Sequence, residues 1–159
     1  MFMPPVWTHY HVAGDNQGIG YGRIGFRHEL ASALAMTLHG LPDLAVYLAA
    51  AHHGKVRLSI RSLPKETRPQ DPAIRFARGV WDGDTLPATE LGGGVYLPET
   101  VLDLSLMEFG DGPSGPSWLS RMLALRDDAE LGPFRLAFLE ALLRASDWRA
   151  SRKAVQNGS

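Results

Sequence analysis

Two adjacent histidines are the residues of this chain whose type and spacing most directly suggest metal binding. His52 and His53 end the apolar run "YLAAAHH" and are followed by Gly54. Imidazole nitrogens are common ligands of divalent transition metals. The alternative is structural, because an imidazolium near a helix C-terminus interacts favourably with the last carbonyl groups. Taken alone, the pair leaves both interpretations open.

Two further candidate ligands lie on other segments with helical spacing. His28 begins a stripe of small and apolar residues, and Asp147 follows three leucines at the same spacing. A carboxylate on a leucine face is rare unless it is paired or binds a cation. Singly, His28 is more typical of an ordinary histidine, and Asp147 could pair with Arg144 or Arg149 at the surface. Three helices that each direct such a side chain toward an apolar interior together favour a metal site.

The composition limits the chemistry of that site. The 159 residues include no cysteine, so the ligands must be His, Asp or Glu, which suit a hydrolytic centre better than a structural zinc. Sixteen basic and seventeen acidic residues give a net charge of -1, so nucleic-acid binding would need a local basic patch. No apolar run is long enough to cross a bilayer, and the first residues lack a signal-peptide pattern. We expect a single-domain cytoplasmic protein without membrane contact.

Helical periodicity predicts four helices in two pairs, so the fold class is mainly α. The predicted helices cover 26–38, 42–53, 118–128 and 133–153, and Ser117 is the expected N-cap of the third. The first two form a helical hairpin with a very short turn. The last helix carries one wide apolar stripe, and its members are Phe134, Phe138, Ala141, Leu142, Ala145 and Trp148.

The segment between the two pairs has a different character. Residues 55–114 are rich in Gly and Pro and contain short apolar runs, which indicates a small β-hairpin or irregular insertion. Within it, "KVRLSIRSL" alternates apolar and polar residues and predicts a half-buried strand over 55–63. Residues 1–25 form an irregular lead-in, 26–152 a single domain, and 153–159 a disordered tail.

Three blocks of the sequence, taken together and in order, resemble a known family. "GFRHELASA", "YLAAAHHGKVRLS" and "LLRASDWRAS" are similar to the HD-type nuclease domain of the CRISPR-associated helicase-nuclease of type I systems. The likeness includes the kind in which that domain stands at the C-terminal end, and it covers roughly residues 20–152. It implies a partial HD-domain-like helical bundle and metal-dependent cleavage of single-stranded DNA in antiviral defence, with a CRISPR helicase or effector complex as partner.

The resemblance also implies a set of metal ligands. His28 corresponds to the histidine of the "RHE" block, His52 and His53 to the double histidine, and Asp147 to the terminal carboxylate. These residues are expected to bind one or two divalent ions, with Mn²⁺, Fe²⁺, Ni²⁺ or Zn²⁺ as the candidates.

The chain also departs from the family pattern, because it contains no His-Asp dipeptide and no counterpart of the family's earlier histidine. The simplest expectation is the C-terminal part of such a domain, from a truncated or split gene, that is weak or inactive alone. Replacement of the absent ligands by His9, His11 or Asp15 is a less expected alternative.

The basic residues after the histidine pair complete the candidate site. Lys55 is assigned to catalysis, and Arg57 and Arg61, on one face of the predicted strand, are assigned to the DNA backbone. An equal alternative for the two arginines is the solvated face of a hairpin. Two other functions remain open for the whole chain. It could be a non-catalytic helical interaction module of a defence complex, or an HD nucleotide phosphohydrolase completed by a partner chain.

Overall fold

The structure is a computed structural model, and it describes most of the chain. That part comprises residues 23, 25–54, 56–92 and 94–157. The candidate catalytic residue Lys55 and the possible substitute ligands His9, His11 and Asp15 therefore lie outside the described residues. The four helices are α1 (His28–Leu38), α2 (Asp43–Ala51), α3 (Trp118–Asp127) and α4 (Gly132–Asn157).

The four helices agree with the helical periodicity of the sequence. Ser117 caps α3 as expected, because its hydroxyl oxygen accepts a hydrogen bond from the backbone N–H of Ser120 at 3.2 Å. The last helix continues to Asn157, into the range predicted as a tail. No helix among the described residues combines the length and the apolar content that a membrane crossing requires.

The described residues between α2 and α3 form eight short strands and one turn of 3₁₀ helix (Ser105–Met107). The strands are β1 (Phe76–Ala77), β2 (Val80–Trp81), β3 (Thr85–Leu86), β4 (Thr89–Gly92), β5 (Val95–Leu97), β6 (Thr100–Val101), β7 (Asp111–Gly112) and β8 (Gly115–Pro116). They form four antiparallel pairs, β1 with β2, β3 with β6, β4 with β5, and β7 with β8. The fold is therefore helix-rich with a small β element, as the composition of the middle segment indicates.

The strand predicted over 55–63 is wrong. Residues 56–75 contain no strand, and Leu58 is exposed while Val56 and Ile60 are buried. The backbone of this segment is held by a side chain instead, since the indole N–H of buried Trp118 donates to the carbonyl oxygen of Arg57 at 2.6 Å. The two-residue alternation is incidental, because no strand of the described structure pairs with this segment.

The core is centred on α1 and α2 and is closed by α3. Leu30 and Leu34 of α1, Val46 and Ala50 of α2, and Trp118 of α3 are completely buried. The small residues on α1 and α2 let the two helices approach closely, and they form the most extensive helix–helix contact of the described structure. This contact places the beginning of α1 beside the end of α2.

The β insertion holds the beginning of α1 in place. Gly79 has a φ of +75°, and a Cβ atom there would lie 2.5 Å from the backbone nitrogen of Phe26. Only glycine permits such a close approach. The neighbouring carbonyl of Arg78 accepts a hydrogen bond from the backbone N–H of Arg27 at 3.0 Å. The residue that follows, His28, is thereby set at a defined position.

The wide apolar stripe of α4 is exposed, and the leucine side of the helix packs inward. The exposed fraction is 89% for Phe134, 63% for Phe138 and 60% for Trp148, whereas Leu136 is only 5% exposed. The other members of the stripe, Ala141, Leu142 and Ala145, are exposed as well. Both sides of this helix carry apolar residues, and the leucine side is the one that packs on the domain.

Candidate metal centre

The two adjacent histidines lie where α2 ends. His52 caps the helix, and Gly54, with a φ of +70°, turns the chain away from the helix axis. The backbone N–H of Gly54 donates to the carbonyl oxygen of Ala51 at 2.6 Å and closes this turn. A left-handed residue at this position favours glycine, so the sequence "HHG" itself produces the local geometry.

Three histidines from two helices meet at this point. His28, His52 and His53 each offer one nitrogen, and these three atoms lie within 4.8 Å of one another. The Nε2 atoms of His28 and His53 are 3.2 Å apart. Two imidazole nitrogens bound to one tetrahedral zinc are about 3.3 Å apart, given Zn–N bonds of roughly 2.0–2.1 Å. The closest pair therefore already has the separation that a shared ion requires.

His52 is prepared for coordination by its backbone contact. Its Nδ1 atom lies 2.6 Å from the carbonyl oxygen of Ala49, which accepts the hydrogen bond and thus places the ring proton on Nδ1. Nε2 then carries a lone pair. This atom is buried and has no hydrogen-bond partner among the described residues. A buried acceptor without a donor is unfavourable, and a cation would satisfy it.

The surroundings of His28 and His53 lower the pKa of both side chains. Burial lowers the pKa of His28, and so does the proximity of His53 and His52, although the carboxylate of Glu29 acts in the opposite direction. Burial and the proximity of His52 likewise lower the pKa of His53, against opposing effects of Glu29 and Asp147. A metal binds the neutral imidazole, so these shifts favour coordination at neutral pH.

Asp147 reaches the same region without joining the close group of histidines. One surface cavity is lined by His52, His53, Arg144, Ala145, Asp147 and Trp148. The carboxylate is half-buried and acts on the pKa of His53. The sequence-based ligand set is thus assembled in part, with the three imidazoles converging and the carboxylate on the wall of the adjoining cavity.

An ion pair between buried Glu140 and half-exposed Arg57 anchors α4 on the side that also carries Asp147. Glu140, seven residues earlier on the same side of the helix, accepts hydrogen bonds from Arg57 Nε at 3.1 Å and Nη2 at 2.5 Å. The hydroxyl of Tyr47 donates to the same carboxylate at 3.1 Å. Arg57 thereby makes a structural contact across the domain, while Arg61 is exposed and does not line the cavity.

Sequence reasoning missed three residues that the fold places near the histidines. Arg144 and Trp148 line the cavity, and the carboxylate of Glu29 lies 3.7 Å from Nδ1 of His28. Arg144 and Trp148 are neighbours of Asp147 at helical spacing, which is a signal that the sequence does contain. The complete burial of Glu29 has no such signal, because it is a result of tertiary packing.

Searches against protein-family models, curated proteins and solved structures found nothing that matches this chain. The likeness to an HD-type nuclease domain is therefore a prediction from three sequence blocks. The geometry of the histidine cluster is the independent ground on which a function can be argued.

Proposed function

We propose that this chain is the metal-binding part of an HD-type nuclease, a metal-dependent phosphodiesterase that acts on single-stranded DNA. Two observations support it most: the buried Nε2 of His52 has no partner among the described residues, and His28, His52 and His53 each offer one nitrogen within 4.8 Å of the others. Imidazole ligands suit Mn²⁺, Fe²⁺, Ni²⁺ and Zn²⁺. A divalent ion, when bound, supplies a Lewis acid that stabilises charge on the phosphodiester.

The chain's own residues would hold the ion and the substrate. His28, His52 and His53 would bind the ion through their Nε2 atoms, and Asp147 would contribute a carboxylate from the cavity wall. Three neutral imidazoles and one carboxylate are enough for a single ion. Because the chain has no His-Asp doublet to supply further ligands, we expect one ion and low activity from the chain alone.

The cavity beside the histidines has groups that suit a single-stranded nucleic acid. Arg144 lines this cavity. Its guanidinium and that of Arg57 both lie beside Gly54, because a Cβ atom there would be 3.9 Å from Arg144 and 3.6 Å from Arg57. Trp148 offers a ring that is largely exposed. Arginines bind phosphates and exposed aromatic rings stack with bases, without a requirement for a particular sequence.

The test combines metal binding with DNA cleavage. Mn²⁺ or Ni²⁺ binding and cleavage of single-stranded DNA are measured for the wild type, His52→Ala and Asp147→Ala. His39→Ala is the matched control, because His39 also ends a helix but contacts Thr100 instead of the cluster. We expect His52→Ala to weaken metal binding by at least about 100-fold, Asp147→Ala to weaken it less, and His39→Ala to have no effect.

Two outcomes would contradict the proposal. If the wild type, His52→Ala and Asp147→Ala bound metal equally, these residues would not form the metal site. Cleavage of nucleotides but not of single-stranded DNA would favour an HD nucleotide phosphohydrolase completed by a partner chain.

A second candidate function is a non-catalytic interaction module in a defence complex. The observation that favours it is the exposed apolar side of α4, where Phe134, Phe138 and Trp148 are accessible. Large exposed apolar patches commonly mark interaction sites. In that case the wild type would bind no divalent metal, and the same titration distinguishes the two candidates.

A further inference from the structure

Glu29 is a buried carboxylate for which the packing of the domain provides no hydrogen bond. Its exposed fraction is 0%, and neither carboxylate oxygen has a hydrogen-bond partner among the described residues. Among the described residues, Arg27 Nε lies 3.9 Å and His28 Nδ1 lies 3.7 Å from this carboxylate, both beyond hydrogen-bond distance. An unsatisfied buried carboxylate is costly, so its presence needs a reason.

The orientation of the His28 ring relates this carboxylate to the histidine cluster. Nε2 of His28 is the nitrogen that lies 3.2 Å from His53, so Nδ1 is the nitrogen left toward Glu29. Metal-binding histidines usually donate their second ring N–H to a carboxylate or a carbonyl, which sets the tautomer and the ring orientation. His52 has such an acceptor in the carbonyl of Ala49. For His28, the carboxylate of Glu29 lies on the Nδ1 side of the ring, as the Ala49 carbonyl does for His52.

We propose that Glu29 is a positioning residue that accepts the Nδ1–H of His28 and thereby directs the Nε2 lone pair of His28 toward His52 and His53. The inference rests on the metal-binding function proposed above. The hydrogen bond requires the 3.7 Å separation between Nδ1 of His28 and the Glu29 carboxylate to shorten to about 3 Å. The negative charge behind the ring also increases the basicity of the ligating nitrogen. In the metal-free protein this contact is longer than a hydrogen bond, so the carboxylate lowers the stability of that state while it strengthens the site.

Two variants separate positioning from packing. Glu29→Leu has a similar volume but no acceptor, and Glu29→Gln keeps an acceptor oxygen without the charge. Glu66→Leu is the matched control, since the carboxylate oxygens of Glu66 are also buried and without a hydrogen-bond partner in the described part of the chain, but they lie outside the histidine cluster. Three quantities are measured on the whole chain: Zn²⁺ affinity by competition titration, the His28 tautomer from imidazole ¹⁵N shifts without metal, and the midpoint of thermal unfolding without metal.

We expect Glu29→Leu to weaken Zn²⁺ binding by about 10- to 100-fold and to shift the His28 tautomer population away from Nδ1–H. The midpoint of unfolding of the metal-free variant should rise, by about 2–4 °C for each kcal/mol gained. Glu29→Gln should be intermediate in affinity, and Glu66→Leu should leave affinity and tautomer unchanged. A residue with only a packing role would not produce opposite changes in stability and affinity.

The inference is overturned if Glu29→Leu and Glu29→Gln both bind Zn²⁺ like the wild type and keep the wild-type tautomer of His28. It is also overturned if both variants lose stability in the metal-free state in proportion to their loss of affinity. If the wild type binds no metal, the proposed function fails. The ¹⁵N shifts still decide whether Glu29 sets the tautomer of His28.

Discussion

Glu29 and Glu140 are both buried glutamates on helices, and their surroundings are opposite. Glu140 accepts three hydrogen bonds, two from Arg57 and one from Tyr47. Burial raises its pKa, but the hydrogen bonds and charge of Arg57 outweigh this and leave the pKa below its usual value. Glu29 is more deeply buried and has no hydrogen bond among the described residues. The carboxylate of Glu140 therefore stabilises the fold. The carboxylate of Glu29 lowers its stability and lies beside the candidate metal ligands.

The largest expected effect on stability is that of removing the satisfied carboxylate. Glu140→Ala leaves the Tyr47 hydroxyl and the half-exposed Arg57 guanidinium without their acceptor, so we expect a loss of about 2 kcal/mol in the free energy of unfolding. Urea unfolding measures it. The control is Glu130→Ala, whose carboxylate is 90% exposed and should change stability by less than about 0.5 kcal/mol. Equal losses in the two variants would mean that the Glu140 cluster is not structural.

A smaller effect is expected from the neutral member of the same cluster. Tyr47→Phe removes one hydrogen bond to Glu140 but leaves both contacts from Arg57, so the expected loss is about 1 kcal/mol. The same unfolding experiment measures it. The double variant Tyr47→Phe, Glu140→Ala should lose less than the sum of the single variants, because the two groups interact. Simple additivity would show that the hydroxyl does not depend on the carboxylate.

The smallest effect is a difference in pH dependence between the two clusters. The pKa of Glu140 is lowered, so its stabilisation is present above the unfolded-state pKa and is lost as the pH falls through the folded-state pKa, in the acid range below about 4.5. Burial lowers the pKa values of His28 and His53, so the metal-free domain is less stable once the unfolded histidines are protonated, below about 6.5. His53 is exposed and solvent-screened, so this second change should stay below about 1 kcal/mol.

Urea unfolding in the presence of a chelator, at pH values from 4 to 8, tests this difference. Glu140→Gln should reduce the pH dependence of the free energy of unfolding only in the acid range. His28→Asn should reduce it only around pH 5–7. If both substitutions changed the stability over the same pH range, the assignment of one transition to Glu140 and the other to the histidines would be wrong.

Local patterns predicted the helices because helix formation depends on short-range spacing and on end signals. Gly40 and Gly54 follow α1 and α2 and have positive φ angles, and Ser117 caps α3, so these boundaries are encoded by neighbouring residues. Neighbouring residues could not show whether 55–63 forms a strand, because a strand requires hydrogen bonds to a partner strand elsewhere in the chain. The burial of Val56 and Ile60 comes from packing of the segment under Trp118.

The orientation of α4 shows the same limit on a larger scale. One side carries Leu136 and the other carries Phe134 and Phe138, so apolar periodicity alone cannot decide which side packs inward. The contacts of Glu140 with Arg57 and Tyr47 decide it, and these contacts join residues more than 80 positions apart. The same orientation places Asp147 on the wall of the cavity beside His52 and His53.

By itself, the sequence determined the four helices, the histidine pair at the end of α2 and the absence of thiolate ligands, since these follow from residue type and local spacing. Only the tertiary structure decided that His28 meets His53 at 3.2 Å, that Nε2 of His52 is buried without a partner among the described residues, and that Glu29 stands behind His28. The physical reason is that burial and convergence depend on how α1, α2 and the insertion pack together, and that packing is set by contacts between residues far apart in the chain.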